Sequence, residues 1–134
     1  MIQIGASEAV EIARNWFRAG RSVTGDALVV HRLDGGPEYY HVTLEEGGRP
    51  VAVATVDAAR GDVRESARIA NGRSPLEVSA ERAAKLSGLR KVTRVDLVWQ
   101  PSRATRSPLY PVWRVSGEAV VYIDQQKHAW SELK

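Results

Sequence analysis

The residue types that most often carry chemistry are sparse in this sequence. The three histidines are His31, His41 and His128, and their spacing matches no short metal-binding motif. His31 and His41 lie on either side of a turn, so a hairpin would let them face each other and share a metal ion or a proton. We favour the simpler interpretation, in which both are polar strand residues, and we expect no metal or other cofactor.

Two aspartates, Asp57 and Asp124, each follow an apolar run directly. Two carboxylates held close together can act as an acid and a base. Each Asp also precedes a turn, however, where its carboxylate can accept backbone N–H bonds. The serines lack the Gly-x-Ser-x-Gly setting of an activated nucleophile, and the glycine pairs lack the Lys and Ser/Thr of a phosphate loop. The sequence therefore predicts a protein that is not an enzyme.

The composition is that of an ordinary globular protein, with 43% hydrophobic and 26% charged residues in 134. The 19 basic and 16 acidic residues are interleaved, which argues against nucleic-acid binding. The absence of cysteine excludes disulfides and thiolate ligands. No apolar run approaches the roughly 20 residues of a membrane span, and residues 1–5 lack the pattern of a signal peptide. Two compartments stay open: the cytoplasm, or an exported location reached after removal of a leader.

The first half of the chain has the pattern of a helix followed by an antiparallel meander. Ser7 can cap a helix at residues 8–19, and Gly20 can end it in the left-handed conformation. The residues on its apolar side, which we expect in the core, are Val10, Ile12, Ala13, Trp16 and Phe17. Extended runs follow at residues 27–33, 39–44 and 50–56, with a short one around Val63, and Gly-rich turns separate them.

The same order then begins again. Ser79 can cap a second helix and Gly88 can end it. Extended runs follow at residues 92–99, 109–115 and 118–123, with a proline-containing loop at 100–108. The predicted fold class is α+β, with two tandem helix-plus-antiparallel-sheet units. The first unit covers residues 1–66, a connector covers 67–78, and the second unit covers 79–134.

The two halves align best at their ends. Residues 51–57 lie over 118–124, and residues 58–63 lie over 125–130. In this alignment Asp57 and Asp124 hold equivalent turns. Gly61 can take a positive φ, and His128 at the equivalent place is tolerable there, because His is enriched among non-glycine residues in the left-handed region. The internal repeat is the main reason for predicting two units.

These features resemble the PepSY domain, a small bacterial unit similar to the cystatin-like architecture of a helix on a sheet. The residues that carry the resemblance in the first half are Val42, Val56, Asp57, Gly61 and Val63. Those in the second half are Trp113, Val115, Ile123, Asp124 and Trp130, without the glycine. The resemblance implies a binding or regulatory module outside the cytoplasm, with a protease or an envelope component as its protein partner. It carries over no catalytic residues.

Aromatic and arginine side chains are concentrated in the second half. Sets of this kind are enriched at interface hot spots, but they also form cores with cation–π packing, and both interpretations stay open. The residues of this candidate partner surface are Trp99, Arg103, Arg106, Trp113, Arg114, Tyr122 and Trp130. If they form a surface, substitution of Trp113 or Arg114 should weaken partner binding and leave the melting transition nearly intact.

The closing strands, residues 51–57 and 118–124, carry apolar residues on both faces, and one helix can cover only one face of a sheet. We expect the second face to contact the other half, with a homodimer or a partner surface as the second choice. The leading prediction for function is a non-catalytic protein-binding or regulatory module. Its rivals are a small-ligand-binding or enzymatic domain and a self-assembling structural subunit.

Overall fold

A computed structural model describes residues 3–134 of the chain as an α+β protein with two helices and eight strands. Met1 and Ile2, on which part of the leader prediction rests, lie outside the described residues. The chain divides into two compact units. One contains residues 3–31 and 36–74, and the other contains residues 32–35 and 75–134. No helix among residues 3–134 is long and apolar enough to cross a membrane.

The first unit is a helix followed by four antiparallel strands in the order β4-β3-β2-β1. Its elements are α1 (Ala6–Phe17), β1 (Val23–Arg32), β2 (Tyr39–Glu46), β3 (Arg49–Asp57) and β4 (Val63–Arg68). The helix packs through Ala9 and Ala13, both fully buried, onto apolar residues of β2 and β3. Small residues four apart on one helix face allow this close approach to the sheet.

The ends of α1 differ from the prediction. The helix begins at Ala6, with Gly5 rather than Ser7 at the N-cap and no side-chain cap. It ends at Arg18, which takes the left-handed conformation (φ 52°) that was predicted for Gly20. The guanidinium of Arg14 donates to the carbonyl oxygens of Gly20 and Val23, which fixes the turn into β1. These contacts lie beyond the helix, so its own pattern could not reveal them.

The exposure of Trp16 also contradicts the prediction. It was expected in the core, but 58% of its surface is exposed. Trp16 shares a helix face with Ala9 and Ala13, but its indole N–H reaches Ser66 of the outermost strand β4, where the sheet ends.

The second unit repeats the order of one helix and four antiparallel strands, here β5-β6-β7-β8. Its elements are α2 (Ala80–Leu86), β5 (Arg94–Trp99), β6 (Val112–Ser116), β7 (Val120–Ile123) and β8 (Ala129–Trp130). Ser79 caps α2 by accepting a hydrogen bond of 3.1 Å from the backbone N–H of Arg82. Gly88 follows the helix with a φ of 72°. The start and the end of α2 agree with the prediction.

Some strand bounds were wrong. The run predicted at 109–115 becomes a strand only at Val112, because the backbone N–H of Tyr110 donates to the carbonyl oxygen of Ser107 in a turn. Residues 67 and 68, assigned to the connector, are the last two of β4. The two closing strands also differ in burial: every residue of β3 from Ala52 to Asp57 is buried, whereas only Ile123 is buried in β7. Burial on both faces was expected of both strands and holds for β3 alone.

Candidate protein-binding edge

Asp57 holds the turn between β3 and β4. Its Oδ1 accepts backbone N–H bonds from Ala59 (2.8 Å) and Arg60 (3.0 Å). Its Oδ2 lies 3.4 Å from a guanidinium nitrogen of Arg64. Burial favours the neutral acid, but these donors outweigh it and hold the pKa of Asp57 below its ordinary value. The carboxylate therefore fixes its own turn and also contacts β4.

Asp124 holds the turn between β7 and β8 in a similar way. Its Oδ1 accepts from the backbone N–H groups of Gln126 and His128, each at 2.9 Å. Its Oδ2 accepts from the indole N–H of Trp130, also at 2.9 Å. Two donors from the turn and one from β8 give this carboxylate a structural role.

His128 takes part in this turn, but the left-handed conformation predicted for it is wrong. The residue with a positive φ is Lys127 (φ 72°), not His128. The second turn is one residue shorter than the first: the N–H of Asp57 donates to Asp62, five residues on, whereas the N–H of Asp124 donates to His128, four residues on. Lys127 therefore corresponds to Gly61.

The histidines do not form a pair. His31 contacts the carboxylate of Glu38, and the strand partner of His41 is Leu28. No group of three or more His, Cys, Asp or Glu side chains within residues 3–134 is placed to hold a metal ion.

The aromatic and arginine set does not form one surface. Trp113 is 8% exposed, and its indole N–H donates to the carbonyl oxygen of Val78 at 2.6 Å. Trp99 is 4% exposed, with the guanidinium of Arg32 4.9 Å from the centre of its ring. These two tryptophans are core residues, which corrects their assignment to a partner surface.

The remaining members of that set are separated by their local partners. Arg114 forms a two-pronged hydrogen bond with Asp96, at 2.7 and 3.2 Å, across β5 and β6. Trp130 is engaged by Asp124, and Tyr122 is half-buried against the core of the second unit. Arg103 and Arg106 are exposed in the loop before β6. Arg106 lines an open cleft of about 420 Å³ together with Tyr110 and Gln126.

Strand β4 has an open edge. It is the outermost strand of its sheet, and four of its six residues are exposed. Ile69 donates its N–H to the carbonyl of Val51, at 2.9 Å. Because ladder bonds alternate in antiparallel pairs, Ala67 bonds to β3, whereas the N–H and C=O of Ser66 and Arg68 point outward. Turns, loops and side chains of residues 3–134 supply no partner to these outward groups.

Side chains of α1 flank this strand. The indole N–H of Trp16 donates to Ser66 Oγ at 3.1 Å, and its ring is otherwise exposed. The guanidinium of Arg68 lies 5.4 Å from the centre of the Phe17 ring. Phe17 and Arg68 also line a cleft of about 230 Å³ at the end of the helix. We call residues 64–68 together with Trp16 and Phe17 the β4 edge.

Two further charged side chains, those of Arg64 and Glu65, lie on β4. Arg64 is the extra residue of a β-bulge, because Val63 pairs with Val56 and Glu65 pairs with Thr55. Its side chain is half exposed. The carboxylate of Glu65 contacts the hydroxyl of Thr55, so it is engaged inside the sheet.

The β4 edge was not predicted from the sequence, because residues 64–68 contain no apolar run. The signal that the sequence does contain is three charged residues within 64–68, Arg64, Glu65 and Arg68, since charged residues are typical of edge strands.

Comparison with known proteins adds no identification: no family model matches the chain, and no curated protein and no solved structure matches it either.

Proposed function

We propose that this chain is a non-catalytic protein-binding module, built of two tandem PepSY-like units, that receives an extended segment of a partner protein at the β4 edge. The observation that carries the proposal is the outward-facing backbone of Ser66 and Arg68 beside the exposed ring of Trp16. Addition of a strand to an open sheet edge is a common mode of peptide recognition, in which main-chain hydrogen bonds supply affinity and neighbouring side chains supply selectivity.

The two-unit part of the proposal is supported by the shared order of one helix and four antiparallel strands, and by the aspartate at the end of the third strand of each unit. The resemblance to PepSY domains favours a partner outside the cytoplasm, such as a protease or an envelope protein.

The test uses phage-displayed random peptides selected on the purified chain and then measured against two variants. Ser66→Pro removes the outward N–H and blocks the edge, whereas Ser66→Ala removes only the hydroxyl. Proline is tolerated on edge strands, and the preceding residue is already extended. We expect selected peptides to bind the native chain and Ser66→Ala alike and to lose at least about ten-fold in affinity for Ser66→Pro. Failure to enrich any peptide, or equal binding to Ser66→Pro, would overturn the proposal.

A second candidate function is small-ligand binding in the 420 Å³ cleft of the second unit. The polar groups at its base are already used by the fold. Gln125 accepts from the N–H of Val78 and donates to the carbonyl of Pro111, and Thr105 donates to Tyr110. Arg106 and Gln126 supply exposed polar groups at its rim. This candidate therefore ranks second.

A further inference from the structure

We infer that the β4 edge selects an acidic, extended peptide, with a carboxylate placed to meet Arg68 and a neighbouring apolar residue that covers Trp16. This inference rests on the proposed function and adds the chemical class of the partner.

The charges along the edge favour an acidic partner. Residues 60–68 contain the cations Arg60, Arg64 and Arg68 and the anions Asp62 and Glu65. Glu65 is engaged with Thr55 inside the sheet. Arg68 has no carboxylate partner among residues 3–134, and Arg18 adds a further exposed cation at the cleft it lines with Arg68. One anion, Glu46, lines the same cleft and accepts a hydrogen bond from Ser22. Arg64 is paired with Asp57, so the cations left for a partner are Arg68 and, at the same cleft, Arg18.

The spacing of the side chains along β4 sets the order of residues in the partner. Ser66 and Arg68 point to the side of the sheet that carries α1, because they contact Trp16 and Phe17. A strand added beside β4 places alternate side chains on that same side. The residue of the added strand that lies opposite Ser66 therefore covers the Trp16 ring. The residue two positions further along the added strand lies opposite Arg68. The bulge at Arg64 interrupts this alternation, so the motif that fits is an apolar residue opposite Ser66 and an acidic one two positions away, opposite Arg68.

Charge repulsion disfavours a second copy of this chain as the occupant of the β4 edge. A closed dimer through two β4 strands requires antiparallel pairing about a two-fold axis. Pairings centred on Arg64, Ser66 or Arg68 set arginine opposite arginine, and a pairing centred on Glu65 sets glutamate opposite glutamate. Like charges directly opposite each other are destabilising. Of the five pairings centred on residues 64–68, only the one centred on Ala67 escapes this repulsion, so the same arginines that disfavour self-association favour an acidic partner.

The test uses fluorescein-labelled peptides with blocked ends. The first has threonine at its odd positions and glutamate, valine and glutamate at positions two, four and six. Two matched peptides carry lysine or glutamine in place of the glutamates. We expect anisotropy titrations to show about ten-fold tighter binding of the glutamate peptide than of the lysine peptide at low salt, with the ratio shrinking as the salt concentration rises.

Variants of the chain locate the contact. Arg68→Gln should weaken the glutamate peptide about three-fold and leave the glutamine peptide unchanged, and Ser66→Pro should weaken both. Arg90→Gln, an exposed cation of the second unit, is the matched control and should change neither.

Each alternative result has a distinct meaning. Equal binding of all three peptides, lost in Ser66→Pro, would overturn the acidic class and leave edge binding standing. A preference for glutamate that persists in Ser66→Pro would place the contact outside the edge and overturn the inference. Absence of binding by any of the three would also overturn it, as would a concentration-dependent dimer that Ser66→Pro dissociates.

Discussion

Trp113→Phe distinguishes a core tryptophan from a surface one. The indole N–H of Trp113 donates to the carbonyl of Val78 at 2.6 Å, and Val78 is 1% exposed, so water cannot replace the lost donor. Leaving a buried carbonyl unpaired costs about 1 to 3 kcal/mol, and the smaller ring adds a loss of packing. We expect the free energy of unfolding to fall by about 2 to 4 kcal/mol in total. In a chain of this length, that corresponds to a Tm lower by about 7 to 14 °C.

The assay is thermal unfolding followed by far-ultraviolet circular dichroism, with urea unfolding as a second measurement. Trp16→Phe is the matched control, because it makes the same change at an exposed site where water can replace the hydrogen bond to Ser66. The control should stay within about 0.5 kcal/mol of the native chain. An unchanged Tm for Trp113→Phe, or an equal fall in both variants, would refute the assignment of Trp113 to the core.

Two further predictions concern the turns. Lys127→Gly should stabilise the chain by about 0.5 to 1 kcal/mol, because Lys127 has a positive φ. His128→Gly should not stabilise it. If urea unfolding showed stabilisation by His128→Gly, the alignment of His128 with Gly61 would be correct after all. Asp57→Asn should lower the free energy of unfolding by about 1 to 2 kcal/mol at neutral pH. Because the folded pKa of Asp57 lies below its ordinary value, its contribution is complete above about pH 4 and is lost as the pH falls through the folded pKa. The gap between native chain and variant, measured from pH 7 to pH 2, should therefore close on acidification, and a constant gap would contradict this.

The elements that sequence predicted well are those with local signals. Ser79 and Gly88 bound α2 through their own hydrogen bonding and backbone freedom, and both act within one turn of the helix. The α+β class followed from one amphipathic helix pattern and several short extended runs in each half.

The predictions that failed depended on contacts between residues distant in the sequence, or on a difference in length between the two turns. Trp16 has a suitable helical position for the core, but its burial depends on how far the sheet extends beneath α1. The positive φ lies at Lys127 rather than His128 because the second turn is one residue shorter than the first. In both turns the aspartate at the start accepts the backbone N–H bonds. Trp113 was ambiguous, because its partner Val78 lies 35 residues away in the sequence.

The most direct test of strand addition at β4 is residue-resolved amide hydrogen exchange of residues 64–68, measured by NMR with and without the glutamate peptide. In the free chain, the N–H groups of Ser66 and Arg68 should exchange quickly, because they face outward, while that of Ala67 is protected by β3. Peptide binding should slow exchange at Ser66 and Arg68 and leave Ala67 nearly unchanged. Slowing confined to residues 104–110, or Ser66 and Arg68 amides as protected as Ala67 in the free chain, would contradict strand addition at β4.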